Sequence, residues 1–182
     1  MTIQSAAGLD SHYTRPDPWD YQTNPHDQRR KSELLALLPV QTWQRVLDIG
    51  CGDGYVTFDL PGTRIIGMDI SAAAIGWAEK HRSTLSAPMS DRFQFEVRSV
   101  FELDAEDQPF DLVVITGVLY QQYIGCAFSV VRERIDALLA PGGCLVSCHI
   151  DGWKPPRFAY TLLDTALYPY RDYNHRLEVY RK

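Results

Sequence analysis

The sequence has no apolar run approaching the roughly 20 residues that a membrane-spanning helix requires. Its longest stretches, such as residues 112–115, are far shorter. Residues 1–10 carry neither a basic start nor an apolar stretch of leader length, so no secretory leader is read there. Positive charge is also in deficit. With 18 Lys and Arg against 23 Asp and Glu, the net charge is −5, which speaks against nucleic acid as the main partner because such interfaces are basic. Cysteine is scarce: Cys51, Cys126, Cys144 and Cys148 show no paired zinc-type spacing. They read as buried reduced thiols with no metal, which points to a reducing cytoplasm. There is no internal repeat and no low-complexity tract. A chain of 182 residues can bury one sizeable core, but not a cofactor domain plus an independent substrate domain.

What is present is an alternation of strand and helix signals. Residues 2–25 are polar and aromatic, with Pro16, Pro18 and Pro25, and read as an extended arm. Residues 26–38 carry Leu34, Leu35, Leu37 and Leu38 behind a charged half, and Pro39 stops that amphipathic helix. Strands are then expected at 46–49, 64–70, 93–97, 111–116 and 144–150. Helices are expected after Ser71 and over 127–139, with Pro141-Gly142-Gly143 as a turn. Two more strands, 166–170 and 176–181, form an antiparallel tail around 171–175. The run 111–116 is almost continuously apolar, as in a strand covered by helices on both faces. The fold class is therefore α/β: a doubly wound seven-stranded sheet, mostly parallel with a C-terminal antiparallel hairpin. Residues 1–38 are read as an arm and helix capping the site, and 39–182 as the binding domain. Ligands of such sheets lie at the carboxyl ends of the strands.

Gly50, Gly52 and Gly54 follow the first strand and open a helix, so the chain can bend sharply and a ligand can lie against bare backbone. Asp48 stands just before that turn, placed to meet an ammonium group. Asp69 ends the next strand, 21 residues later, where a carboxylate accepts both hydroxyls of a ribose. A dinucleotide would need G-x-G-x-x-G, but Tyr55 follows Gly54, and Asp53 would face the pyrophosphate. A ligand with an amino-acid head and no phosphate fits better.

The segments 46–54, Gly67-Met68-Asp69-Ile70-Ser71, Phe110-Asp111-Leu112-Val113-Val114 and Leu139-Ala140-Pro141-Gly142-Gly143 together resemble the successive motifs of class I S-adenosylmethionine-dependent methyltransferases. The resemblance implies S-adenosyl-L-methionine as cofactor. It implies a cofactor site of Asp48, Gly50, Cys51, Gly52, Asp69, Ile70, Ser99, Val100, Phe101 and Thr116. That family usually carries an acidic residue after the third strand for the adenine amino group. Here Ser99 stands in for it, with Val100 and Phe101 against the ring. The arm Asp17-Pro18-Trp19-Asp20-Tyr21, with Asn24-Pro25, Arg29-Arg30 and Val118-Leu119-Tyr120, is also similar to nodulation-type N-methyltransferases, which act on the amino sugar of a chitooligosaccharide.

Methyl transfer from a sulfonium needs alignment above all, and a hydroxyl acceptor gains from a general base. His149, at the end of the fifth strand, and Tyr120 are the candidate catalytic residues. Tyr13, Trp19, Tyr21, Tyr123, Asp151 and Trp153 are the candidate acceptor contacts, the arm aromatics acting as a lid. No Asn-Pro-Pro-Tyr-like sequence follows the fourth strand, which argues against a base or amide nitrogen in nucleic acid or protein as acceptor. The expected partner is a small-molecule acceptor, a hydroxyl or amine of a sugar, glycolipid or related metabolite, and a homodimer could complete the cleft. Two rivals stand beside this reading: a non-catalytic cofactor-binding or partner module, and a nicotinamide-dependent oxidoreductase.

Overall fold

The structure is a computed structural model describing residues 3–104, 108–153 and 157–182. Seven strands form one sheet: β1 (Arg45–Ile49), β2 (Arg64–Asp69), β3 (Phe93–Val97), β4 (Phe110–Thr116), β5 (Leu139–Ile150), β6 (Thr161–Tyr170) and β7 (Tyr173–Arg181). Their order is β3-β2-β1-β4-β5-β7-β6. The pairs β1–β2, β2–β3, β1–β4 and β4–β5 are parallel, while β7 runs antiparallel to both β5 and β6. From β1 the chain winds outward through β2 and β3, then returns to lay β4 on the other side of β1. The carboxyl ends of β1 and β4 therefore open a crevice between diverging connections, the usual ligand position in such sheets.

Side-chain alternation explains the two cores. Leu112 and Val114 join one apolar cluster, with Leu34 from the second helix, Leu38 at its C-terminal cap, and Ile75 and Ala78 from the third helix. Val113 and Ile115 join the other, with Val131, Ile135 and Leu138. All four β4 residues have no exposed surface, which is why the strand reads as unbroken hydrophobic sequence. The helices are α1 (Ala6–Asp10), α2 (Pro25–Leu37), α3 (Ala72–Arg82), α4 (Ala87–Ser90), α5 (Gln121–Ile124) and α6 (Phe128–Leu138). α2 starts where the Asn24 side chain accepts from His26 N, with Pro25 in the first turn. α3 starts where Ser71 Oγ accepts from Ala74 N at 3.1 Å. Buried Val131, Ile135 and Leu138 recur at helical spacing on α6, each contributing about 1.5–3 kcal/mol through apolar burial.

Three expectations need correction. The arm is not extended: Ser5 Oγ accepts from Gly8 N to cap α1, and Asp17 accepts from Tyr21 N and Gln22 N to form a turn. These local side-chain bonds outweigh the extended bias of the prolines. The expected turn at Pro141-Gly143 lies inside β5, whose pairing with β4 shifts register between Phe110 and Leu112. The tail hairpin is longer and tighter than expected, turning at Arg171 with φ 50°. β6 is an edge strand exposing Leu162, Leu163 and Leu167, so no clean alternation marked it. All four cysteines are free, three of them buried, but Cys126 is exposed. Among the described residues no helix is long and apolar enough to cross a membrane.

Candidate active site

The glycine turn is built by conformation and by close approach. Gly50, Gly52 and Gly54 have φ of 74°, 57° and 90°, a region that costs other residues free energy. A Cβ on Gly50 would collide with Val118 Cγ2, and one on Gly52 would lie 2.5 Å from the Tyr13 hydroxyl. Gly50 N and Cys51 N both donate to Met68 O, at 2.8 and 3.0 Å, which lashes the turn to the end of β2.

Asp69 is held in place by the same turn. One carboxylate oxygen accepts from Gly52 N at 3.0 Å and the other from Ser71 N at 2.9 Å. Each oxygen keeps a further lone pair for a ligand. Burial raises the carboxyl above its ordinary range, and these backbone donors pull it back. Asp48 is buried and accepts from Thr57 Oγ1 at 2.7 Å. Burial, partly opposed by that hydrogen bond, pushes its carboxyl up to about 6. A cationic ligand group would relieve this penalty. Asp53 instead accepts from Asp17 N at 2.7 Å, so it fastens the arm.

The arm closes the crevice from above. Asp10 accepts from Ser71 Oγ and Ala73 N, at 2.6 and 3.0 Å. Trp77 Nε1 donates to Tyr13 O at 2.9 Å. Tyr13 is buried, Trp19 meets it edge-on at 5.1 Å, and Trp19 stacks on Tyr21 at 5.7 Å. Gln4 N donates to Gln122 O at 2.8 Å and ties the start of the arm to α5.

The result is a cavity of about 590 Å³, within the usual range for a small-molecule site. All ten sequence-selected cofactor residues line it: Asp48, Gly50, Cys51, Gly52, Asp69, Ile70, Ser99, Val100, Phe101 and Thr116. Tyr13, Trp19, Tyr21, Tyr120, Tyr123 and Trp153 line it as well. Ser99 also caps a 3-10 turn, accepting from Phe101 N while Glu102 accepts from Ser99 N. Tyr120 accepts from Ile150 N at 3.2 Å and packs edge-on against Trp153 at 4.9 Å. Burial raises the Tyr120 hydroxyl above its ordinary value, so it stays protonated.

Two selected residues are not brought to the cavity. Alternation along β5 puts Ile150 in the lining and turns His149 to the opposite face. There His149 is buried with Nδ1 unpartnered, its imidazole pushed down by burial despite nearby Glu178. Asp151 is likewise outside the lining, engaged by Arg176 Nε at 2.5 Å. Sequence reasoning missed Arg30, Tyr170, Arg171 and His175, all of which line the cavity. His175 is buried, stacks on Tyr170 at 3.7 Å, and has Nδ1 3.7 Å from Cys148 Sγ. Burial, aided by Arg30, pushes its imidazole down to about 4. One signal for Arg30 existed: Asp27, Arg30 and Leu34 form the buried stripe of α2, an ion pair where leucines were expected.

Among the described residues no group of three or more His, Cys, Asp or Glu side chains could hold a metal. The sequence matches the model of a methyltransferase domain family over residues 43–170, and the chain belongs to that family. It is 31% identical over 148 residues to trans-aconitate 2-methyltransferase of Paracidovorax citrulli, covering 79% of this chain and 53% of that protein. It is 30% identical over 135 residues to nodulation protein S of Rhizobium tropici, covering 71% of this chain and 53% of that one. The chain spans about half the length of the curated relatives it matches. The crystal structure of the N-methyltransferase NodS from Bradyrhizobium japonicum, in complex with S-adenosyl-L-homocysteine, superposes with a TM-score of 0.81 at 24% identity, covering 98% of each chain. That likeness establishes the fold. The family match favours the methyltransferase reading over the nicotinamide-dependent one.

Proposed function

We propose that the chain binds S-adenosyl-L-methionine and transfers its methyl group to a small-molecule acceptor. The observation carrying this reading is the Asp69 carboxylate, pinned by Gly52 N and Ser71 N beside a turn that admits no Cβ. A diol fits that carboxylate, and a phosphate would meet three carboxylates, Asp48, Asp53 and Asp69. The cofactor supplies a methyl on a sulfonium, already activated for in-line displacement. Asp69 would hold the ribose hydroxyls, and Ser99, Val100 and Phe101 would receive the base. Tyr13 and Trp19 exclude water, and the chain's remaining task is to align the acceptor.

On the acceptor side, Tyr120, Tyr123 and Trp153 present aromatic faces suited to a sugar ring. A sugar or glycolipid hydroxyl or amine is the finer proposal, supported by the match to nodulation protein S. Residues 1–38 act as its cap, and the site works in the reducing cytoplasm. A homodimer, if formed, has the exposed leucines of β6 available to it. Isothermal titration with S-adenosyl-L-homocysteine tests the cofactor assignment: Asp69→Ala should weaken binding by about 10- to 100-fold, the loss of a charged hydrogen bond. Equal affinity in that variant would remove Asp69 from the site. Transfer of a labelled methyl to any small acceptor would exclude a purely non-catalytic module.

A further inference from the structure

Charges of both signs line the cavity, Arg98 among them after β3. Asp48, Asp53 and Asp69 belong to the turn over β1 and β2, while Arg171 sits at the β6–β7 hairpin, at the other end of the sheet. Arg30 reaches the cavity from α2 and lies 5.0 Å over the Tyr21 ring. Behind the two guanidiniums Asp27 has no exposed surface. It accepts from Tyr170 Oη at 2.8 Å and pairs with Arg30 and Arg171 at 3.3 Å each. One carboxylate thus answers two guanidinium groups. Among the described residues Arg30, its side chain 10% exposed, makes this single ion pair besides its contact with the Tyr21 ring, and its Nε is buried without a hydrogen-bond partner. A guanidinium carries five donors, and the exposed part of Arg30 faces the cavity. Neutral His175, stacked on Tyr170, adds a ring nitrogen beside the pair.

We infer that Arg30 and Arg171 form a carboxylate-binding site inside this cavity. A net positive charge with spare planar donors recognises an anion, and the fork geometry selects carboxylate. The inference rests on the methyl-transfer reading for the identity of the ligands, since the carboxylate belongs either to the amino-acid head of the cofactor or to the acceptor. If it is the acceptor's, the substrate is an organic acid or a sugar acid, and a cationic ammonium is repelled from this end.

Titration calorimetry on the full chain separates these sources. Wild type, Arg30→Met, Arg30→Lys and Arg171→Met are titrated with S-adenosyl-L-homocysteine and with 5′-methylthioadenosine, which lacks the amino-acid head. Benzoate and citrate are then titrated into free and homocysteine-nucleoside-saturated protein. Loss of about 10- to 100-fold in S-adenosyl-L-homocysteine affinity in Arg30→Met, with 5′-methylthioadenosine unchanged, supports the site and assigns it to the cofactor's carboxylate. The unchanged nucleoside also shows that the variant is folded. Arg30→Lys, which keeps the charge and loses the fork, should fall between. Unchanged nucleoside affinities, with organic-acid binding in wild type that Arg171→Met loses, support the site and assign it to the acceptor. The inference is overturned if every variant keeps the wild-type preference between the two nucleosides and wild type either holds neither acid or holds it no better than Arg30→Met and Arg171→Met do. Failure of wild type to bind either nucleoside would sink the methyl-transfer reading alone, and the acid titrations would still judge the site.

Discussion

Asp10 in the arm accepts a 2.6 Å hydrogen bond from Ser71 Oγ, two residues beyond the Asp69 carboxylate. Its contact with Ala73 N makes it a second, non-local cap on α3. The element that closes the cavity is therefore anchored on the segment that positions Asp69. Closure and ligand binding should be coupled.

Replacing Asp10 with Ala should release the arm without unfolding the sheet. The expected outcome is a several-fold weaker affinity for S-adenosyl-L-homocysteine and faster chymotryptic cleavage after Trp19 and Tyr21, with an almost unchanged melting temperature. Ligand-independent cleavage equal to wild type would show that this anchor does not hold the arm.

Gly52 combines φ of 57° with the Tyr13 hydroxyl at 2.5 Å from a Cβ position. Gly52→Ala should cost about 1–2 kcal/mol from backbone strain alone and should push Tyr13 aside. Calorimetry should then show nucleoside affinity reduced by at least tenfold. Normal affinity would mean that the turn need not be bare at this position.

The pH dependence has two opposing contributions. Asp48 is raised to about 6 in the folded chain, from 3.8, so its folded form holds the proton more tightly than the unfolded form. Its ionisation therefore removes stability as pH rises from about 4 through 6, by up to about 3 kcal/mol. The difference in melting temperature between Asp48→Asn and wild type should grow in favour of the variant from pH 4.5 to 7.5. A constant difference would refute the burial penalty. Saturating S-adenosyl-L-homocysteine should shrink the gap at pH 7.5, because an ammonium beside Asp48 favours its charge.

His175 works in the other direction. Its imidazole falls from 6.5 to about 4 on folding, so the stability it supplies is complete above about 6.5 and is lost as pH falls towards 4. Arg30, Arg171 and His149 oppose its protonation. His175→Asn should flatten the acid limb of the stability profile relative to wild type.

His149→Ala should leave the rate of methyl transfer within about threefold and lower stability by about 1–3 kcal/mol, as expected for a buried side chain. A loss of turnover of 100-fold or more with intact cofactor binding would restore His149 as a general base.

The α/β class and the cofactor end of the cavity were legible because both are written in local pattern. Strand periodicity, the glycines at 50, 52 and 54, and the carboxylates at 48 and 69 sit at spacings set by one strand-turn-strand unit. The rest of the cavity was legible only in part: Tyr120, Tyr123 and Trp153 line it as expected, but His149 and Asp151 do not. His149 and Ile150 are neighbours in sequence, yet only Ile150 lines the cavity, because one residue along a strand reverses the face. His175 read as part of the connection 171–175, because the polar residues Asp172, Asn174 and His175 carry no strand pattern although β7 already begins at Tyr173.

The sequence alone determined the order of the seven strands, the bare turn and the acidic residues beside it, because these depend on residues close together in the chain. Only the tertiary structure decided that Asp27 and Arg30 meet Tyr170 and Arg171, contacts made across more than 140 positions. Such a cluster forms when α2 docks on the β6–β7 hairpin. Burial then gives its charges a weight that no local spacing encodes.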